Sequence, residues 1–227
     1  MRLLIQIIAT ILISTSLTHA EEYSATYELS FNANWSSSTH PSDFPNGAHF
    51  SGLIGNTHIS AGIIWQHDQL ASDGIEQMAE TGGRSILTNE INSIVSHGHA
   101  EHLILGPGAT ASDTVEVQFE ISESHPLLSM VTMIAPSPDW FLGISGVNLL
   151  SQGEWRKELT IDLYPYDAGT DNGTTFTSAN EDSDPAVPIF ELNTYPFSNE
   201  IPLGTFSIAL ISAQGTFSEI TFQNGFE

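Results

Sequence analysis

Three aspartates stand in surroundings that could hold a metal ion. Asp139 ends a Pro-Ser-Pro-Asp stretch whose two prolines restrict the backbone and make a stiff corner. Asp167 and Asp171 bracket an Ala-Gly-Thr turn, and glycine lets the chain fold tightly enough for both carboxylates to converge. Ca²⁺ accepts about 6–8 oxygen ligands in irregular geometry, whereas Mg²⁺ requires a stricter octahedron. The three aspartates therefore predict a site for a hard divalent cation, with Ca²⁺ as the better match.

Other interpretations of the same aspartates remain open at this point. An EF-hand counted from Asp167 would need glycine at its sixth residue and glutamate at its twelfth, but Asn172 and Ser178 stand there. Aspartate also caps turns commonly, and a chain this acidic carries many such residues. Spacing alone does not separate a metal site from turn caps.

A second group of potential ligands is His97, His99 and His102, within His-Gly-His-Ala-Glu-His. Neutral imidazole binds Zn²⁺. In an extended segment, however, His97 and His99 share one face while His102 points away. A solvated loop is the default interpretation, with zinc as the alternative.

The remaining histidines predict structural roles. His40, His49 and His58 lie among proline, glycine and aromatic residues, where a neutral imidazole can lock a buried loop through both ring nitrogens. His125 precedes Pro126 at a predicted strand entrance and is assigned no role.

Motifs of catalysis are absent from the sequence. There is no Gly-x-Ser-x-Gly elbow, no His-Glu-x-x-His and no phosphate-binding Gly-Lys-Ser/Thr loop. All four tryptophans are expected in the core, with Trp140 beside the aspartates. We therefore expect a protein that is not an enzyme.

Charge and cysteine content narrow the function further. Lys and Arg number 4 against 27 Asp and Glu, which gives a net charge of −23 at pH 7 over 227 residues. Such a polyanion is repelled by nucleic acid and by anionic membranes, so the expected partners of the chain are cations. The absence of cysteine excludes disulfides, thiolate metal sites and a cysteine nucleophile.

The hydrophobic pattern predicts an all-β protein with little helix. A two-residue period marks four half-buried strands, and a fifth segment is apolar on both faces; they lie near residues 23–31, 115–121, 159–163, 206–210 and 127–135. Helical signal is confined to residues 73–96, where Asp73 with Glu76 resembles a capping box and Gly82-Gly83 divides two short helices. Residues 167–188 predict a long polar loop, where function tends to lie.

The N-terminus has the layout of a signal peptide. Met1-Arg2 is followed by an apolar run from Leu3 to Ile13 and by Ala20 before two acids. We expect residues 1–20 to be removed, residues 21–212 to form one β-sandwich, and residues 213–227 to form a tail. No later segment is long and apolar enough to span a bilayer, so a secreted or periplasmic protein is predicted.

Several blocks in order along the chain resemble the spondin N-terminal domain. They include Asn34-Trp35-Ser36, the stretch 71–75, Pro136-Ser137-Pro138-Asp139-Trp140 and Asp167-Ala168-Gly169-Thr170-Asp171. The resemblance runs from about Tyr23 to Leu210. It implies a C2-like antiparallel β-sandwich with one or two short helices, found in secreted matrix and adhesion proteins.

The same resemblance implies a Ca²⁺ ion held by Asp139, Asp167 and Asp171. The chain departs from animal members in lacking cysteine and the modules that usually follow, so we expect a stand-alone, microbial form. The predicted function is a calcium-binding adhesion or recognition module whose partner is a protein or glycan on a cell surface or matrix. The alternatives are a calcium-dependent carbohydrate-binding module and a metal-dependent extracytoplasmic hydrolase.

Overall fold

The chain folds into an antiparallel β-sandwich with two helices on one side. The structure is a computed structural model that describes residues 22–197 and 201–215. The first sheet has four strands in the order β11-β14-β1-β6. Its strands are β1 (Ser24–Ala33), β6 (Thr114–Ser122), β11 (Glu158–Leu163) and β14 (Gly204–Gln214). Strand β6 forms one edge, and its outward residues Glu116, Gln118 and Glu120 are exposed.

The second sheet is built around the long central strand β7 (Leu127–Ala135). It pairs with β8 (Trp140–Asn148) on one side and with β2 (His49–Phe50) and β3 (Ile54–His58) on the other. The sheet continues through β4 (Ala100–Leu105), β5 (Ala109–Thr110), β12 (Tyr166–Asp167) and β13 (Phe190–Glu191). A separate ribbon joins β9 (Leu150–Ser151) to β10 (Glu154–Trp155).

Strand β7 is buried on both faces because it lies between two hydrophobic layers. Alternate side chains point to opposite sides of a strand. One set, Leu128, Met130 and Ile134, belongs to the core between the sheets. The other set, Val131, Met133 and Ala135, belongs to a second core beneath the helices.

The helices α1 (Asp73–Thr81) and α2 (Ser85–Ser96) cover this second core. Ser72 caps α1: its Oγ accepts a hydrogen bond from the Ile75 N–H at 3.2 Å and donates to Glu90 Oε2 at 2.7 Å. The capping box predicted from Asp73 and Glu76 is therefore wrong, because the capping side chain is one residue earlier and its carboxylate partner comes from α2. Between the helices, Gly82 adopts a left-handed conformation that ends α1.

The predicted all-β sandwich with two short helices is confirmed, and the five predicted strands correspond to β1, β6, β7, β11 and β14. The predicted signal peptide lies outside the described residues. Strand β14 reaches Gln214, two residues into the predicted tail, and the tail from residue 216 onward is also outside them. Neither helix in the described parts of the chain has the length and hydrophobicity of a membrane span.

Candidate functional site

Pairing of two strands brings Asp167 next to Asp139. Asp139 immediately precedes β8, and β12 pairs with β8 so that Asp167 lies opposite Trp140. The Ala168 N–H donates to the Asp139 carbonyl at 3.1 Å. Two segments that are 28 positions apart in the sequence therefore meet at the end of the second sheet.

The turn from Asp167 to Asp171 is folded by its own carboxylates. The Gly169 N–H donates to Asp167 Oδ1 at 2.8 Å. Gly169 has φ +74°, and a Cβ there would lie 2.1 Å from the Val187 carbonyl oxygen. Glycine is required at this position for two reasons: the left-handed backbone and the close passage of residue 187.

Asp139 closes the turn from the opposite side. Its Oδ2 accepts from the N–H groups of Thr170 at 2.8 Å and Asp171 at 3.1 Å, and from the Thr170 hydroxyl at 3.3 Å. Its Oδ1 is buried and has no hydrogen-bond partner. A buried carboxylate oxygen without a partner is unfavourable, so this atom is the least satisfied point of the site.

Asp171 links the turn to the long loop that follows. Its Oδ1 accepts from the Gly173 N–H at 2.6 Å, and its Oδ2 accepts from the Glu181 N–H at 3.0 Å. The backbone of Asp171 also bridges to that of Asp182. The loop predicted over residues 167–188 is therefore fixed at its start by the same carboxylate that belongs to the candidate site.

The carboxylates of the site repel one another when they are ionised. Burial raises the pKa of Asp139 to about 7; the Asp167 carboxylate adds to the rise, and the N–H groups of Thr170 and Asp171 partly oppose it. Burial likewise raises the pKa of Asp167, against the stabilising N–H groups of Gly169 and Trp140 and a side-chain hydrogen bond with Asp139, which can form when one of the two carboxyls is protonated. The donors to these carboxylates are backbone N–H groups, a hydroxyl and an indole, all of them uncharged. Ionisation of the cluster is therefore costly without a cation.

Two neighbouring side chains complete the site. The indole Nε1 of Trp140 donates to Asp167 Oδ2 at 3.1 Å, which agrees with the expected position of this tryptophan. Glu80, near the end of α1, interacts with the Thr170 side chain and with the carboxylates of Asp139 and Asp171, and burial raises its pKa. Sequence reasoning missed Glu80, because nothing in a helix 59 positions away indicates that its last turn reaches this corner.

The site has the donor chemistry of a hard cation site but not a preformed cage. In residues 22–197 and 201–215, no three Asp, Glu or His side chains are grouped so that they could hold a metal ion as they stand. The oxygens of Asp139, Asp167 and Asp171 point mainly at N–H donors of the turn. Carboxylate oxygens have further lone pairs, and Asp139 Oδ1 has no donor at all. The residues therefore fit Ca²⁺, which tolerates irregular oxygen shells.

A groove of about 400 Å³ lies close to this corner. Its walls come from residues 43–46 and from residues 175–177 of the long loop. Phe176, in its wall, is in edge contact with Trp140, with ring centroids 5.3 Å apart. The lining of the groove combines the rings of Phe44 and Phe176 with polar groups of Asp43, Asn46 and two threonines.

The histidine predictions have mixed outcomes. His40 and His58 are buried, and burial lowers the pKa of each, as expected for neutral side chains that lock loops. His49 is exposed, so its predicted role in a buried loop is wrong. His97 and His99 lie with ring centroids 6.4 Å apart, whereas His102 lies 3.8 Å from Glu101 on β4. Within the described residues, these three histidines form no metal-binding group.

Comparisons with a family model and with individual proteins identify the same family. The Spondin_N family model matches residues 25–203. The chain is 32% identical to spondin-2 of Rattus norvegicus over 203 residues, which cover 87% of this chain and 61% of that protein. It is 36% identical to spondin-1 of Gallus gallus over 173 residues, which cover 72% of this chain and 21% of that protein.

The chain thus spans about three fifths of the length of spondin-2 and one fifth of that of spondin-1. Spondins are secreted extracellular proteins, which confirms the predicted secreted or periplasmic location. A family match over most of the sequence, together with the sandwich and its aspartate corner, leads to one conclusion: the chain belongs to the spondin N-terminal domain family.

Proposed function

We propose that this protein is a calcium-binding adhesion or recognition domain without enzymatic activity, acting on a protein or glycan at a cell surface or in a matrix. The binding surface would comprise the corner at Asp139 and the loop that starts at Asp167. The observation that carries the proposal is the buried Asp139 carboxylate, which holds the turn with one oxygen and leaves the other without a partner.

Asp139, Asp167 and Asp171 are the residues that would hold the ion, with Glu80 close enough to contribute. A bound Ca²⁺ supplies the positive charge that this group of acids lacks. The two aspartates of the turn also hold its backbone, through the N–H groups of Gly169 and Gly173. Any adjustment of their carboxylates is therefore transmitted to the loop, which makes loop order the property most sensitive to calcium.

Thermal unfolding with EDTA and with calcium tests this site. At about 1 mM calcium and a Kd of about 0.1 mM, binding stabilises the folded state by about 1.4 kcal/mol. For a domain of this size, that corresponds to a rise in Tm of roughly 3–6 °C. Asp139→Asn and Asp171→Asn should abolish the rise. Asp162→Asn, an equal charge change at an exposed position on β11, should preserve it.

Equal Tm values in EDTA and in millimolar calcium would contradict the proposal. So would a calcium-dependent rise that Asp162→Asn reduces as much as Asp139→Asn, because the effect would then come from general charge neutralisation. Two aspartate variants are used so that a folding defect in one does not decide the result.

A calcium-dependent carbohydrate-binding module is the second candidate function. It is favoured by the groove beside the aspartate corner, where Phe44 and Phe176 lie among hydroxyl, amide and carboxylate groups. Phe176 is buried, so the half-buried Phe44 is the ring that can stack against a sugar, and the polar groups beside it can bind sugar hydroxyls. A glycan array with and without chelator separates the two functions. Only the carbohydrate-binding module requires that the protein bind a glycan on the array in calcium and lose that binding in chelator.

Two finer expectations stay predictions. A stand-alone, microbial form is one. The other is the absence of enzymatic activity, which turnover of an ester, phosphate or glycoside with calcium would contradict; hydrolysis would need a general base beside an open metal position.

A further inference from the structure

The described part of the chain contains the dipeptide Asn-Gly in two different surroundings. Asn46-Gly47 lies in the turn before β2, and Asn172-Gly173 lies in the long loop directly after Asp171. A third copy, Asn224-Gly225, is outside the described residues. The side chains of both described asparagines are exposed, so access to water does not distinguish the two sites.

An asparagine followed by glycine can react with its own backbone. The nitrogen of the glycine loses its proton and attacks the side-chain carbonyl carbon of the asparagine; a C–N bond forms, and the side-chain nitrogen leaves as ammonia. Water then opens the resulting succinimide ring at either carbonyl, which gives aspartate or isoaspartate. In sum, one amide and one water become one carboxylic acid and one ammonia. Glycine favours the attack because it has no side chain beside the reacting nitrogen.

Hydrogen bonds hold both reacting groups of Asn172-Gly173. The Gly173 N–H, which must lose its proton in the reaction, donates to Asp171 Oδ1 at 2.6 Å. The side-chain amide of Asn172 is also bound: its Nδ2 donates to the Glu181 carbonyl at 3.3 Å, and its Oδ1 accepts from Ser183 Oγ at 3.1 Å. The amide would have to leave these partners before its carbonyl carbon could turn toward the Gly173 nitrogen.

The backbone around Gly173 is also closely packed. A Cβ at this position would lie 2.7 Å from Pro138 Cγ and 2.7 Å from Ser178 Cβ. The Asn172 N–H donates to the Glu181 carbonyl at 2.8 Å, which fixes the residue before the glycine. Rotation of this backbone therefore requires that its neighbours move, and this restraint does not depend on exposed side chains.

Asn46-Gly47 has neither kind of restraint. Within residues 22–197 and 201–215, the side chain of Asn46 and the N–H of Gly47 have no hydrogen-bond partner. A Cβ at Gly47 would meet no atom within 4 Å. The side-chain carbonyl carbon of Asn46 is therefore free to turn toward the Gly47 nitrogen.

We propose that Asn46 is a deamidation site of the folded protein and that Asp171 protects Asn172 from the same reaction. The product at position 46 places a new carboxylate in the lining of the groove formed by residues 43–46 and 175–177, which already contains Asp43. Isoaspartate also lengthens the backbone of the turn before β2. Because neither step uses a metal or a partner, the inference does not depend on the proposed function.

Peptide mapping by mass spectrometry tests the difference between the two sites. The protein is incubated in mildly alkaline buffer, and the fraction of aspartate and isoaspartate is followed at both positions. A hydrogen bond to a carboxylate lowers the population of an open conformation by about tenfold or more, so position 46 should react at least about tenfold faster than position 172. In urea this difference should disappear, because the unfolded chain restrains neither dipeptide.

Two variants test the protection of Asn172. Asp171→Ala removes the acceptor of the Gly173 N–H, so it should accelerate the reaction at position 172 and leave the rate at position 46 unchanged. Asp162→Ala, at an exposed position on β11, is the matched control and should change neither rate. If Asp171→Ala accelerates both positions because it unfolds the chain, Ser183→Ala decides, since it releases only the Asn172 side-chain carbonyl.

Equal rates at the two positions in the folded protein would overturn the proposal, and so would a faster reaction at position 172. An unchanged rate at position 172 in both Asp171→Ala and Ser183→Ala would overturn the protective role of Asp171.

Discussion

Strand β7 separates two ends of the sandwich that stabilise their acidic side chains differently. Its nine residues span roughly 27 Å at about 3.4 Å per residue. At the C-terminal end, Asp139 and Asp167 are buried together and receive only uncharged donors. At the N-terminal end, Glu101 is reached from His125 through two serine hydroxyls.

The difference concerns where the compensating charge comes from. At the histidine end, side-chain hydrogen bonds connect the carboxylate of Glu101 to an imidazole of the same chain. The aspartate end has three carboxylates whose hydrogen-bond donors are all uncharged, so protonation of a carboxylate or a bound cation would relieve their repulsion. We therefore expect calcium and pH both to act at the aspartate end, and each of the following substitutions compares the two ends.

Glycine substitutions should give the largest effect. Gly169 and Gly98 have nearly equal φ values, +74° and +72°, but a Cβ meets the Val187 carbonyl at Gly169 and nothing within 4 Å at Gly98. Gly98→Ala should cost about 1 kcal/mol of unfolding free energy, from the left-handed backbone alone. Gly169→Ala should cost about 3 kcal/mol or more, because the loop must also move. Urea unfolding measures both, and equal losses would show that residue 187 is not tightly held.

Tryptophan substitutions should give an intermediate effect. The indole N–H of Trp140 binds Asp167, whereas that of Trp155, which packs on Tyr23 near the histidine end, is buried without a partner. Both Trp→Phe changes remove similar volume, so the difference between them reports the hydrogen bond. Trp140→Phe should cost about 1–3 kcal/mol more than Trp155→Phe in chemical unfolding. A smaller loss for Trp140→Phe would mean that the indole does not stabilise the carboxylate.

The pH dependence from His58 should be the smallest effect. Burial lowers the pKa of His58, so between its folded value and its ordinary value of about 6.5 the unfolded chain binds more protons. This contribution to stability is complete above about pH 6.5 and is lost as the pH falls below it, by up to about 1.4 kcal/mol per pH unit. His58→Gln should reduce that slope, and the exposed His49→Gln should not. Unfolding free energies at a series of pH values test this, and an unchanged slope in His58→Gln would contradict it.

The parts of the fold that the sequence predicted are those with a simple period. Strands β1, β6, β11 and β14 alternate between core and solvent, and β7 is apolar except at Ser129 and Thr132, so most of their burial can be read from residue type. Strand β3 was missed because its five buried residues include Asn56, Thr57 and His58, whose side-chain hydrogen bonds go to groups outside the strand. The three aspartates of the site were predicted because the neighbouring prolines and glycines indicate a restricted or tightly turned backbone in the local sequence.

The contacts that the sequence did not predict depend on pairing between distant elements. His125 was assigned no role because Ser122, at the end of β6, and Ser124, in the following turn, carry no local signal until β4 brings Glu101 beside them. Glu80 reaches the aspartate corner only through the packing of α1 on the second sheet. In both cases the chemistry depends on tertiary placement and not on a local motif.

The edge strand β6 has a consequence for self-association. Its outward residues carry a carboxylate at Glu116 and again at Glu120, and along one side no strand in residues 22–197 and 201–215 pairs with it. If β6 of a second copy paired with this edge, glutamates of the two strands would lie opposite each other. The repulsion between their charges disfavours edge-to-edge pairing and therefore fibril growth from β6.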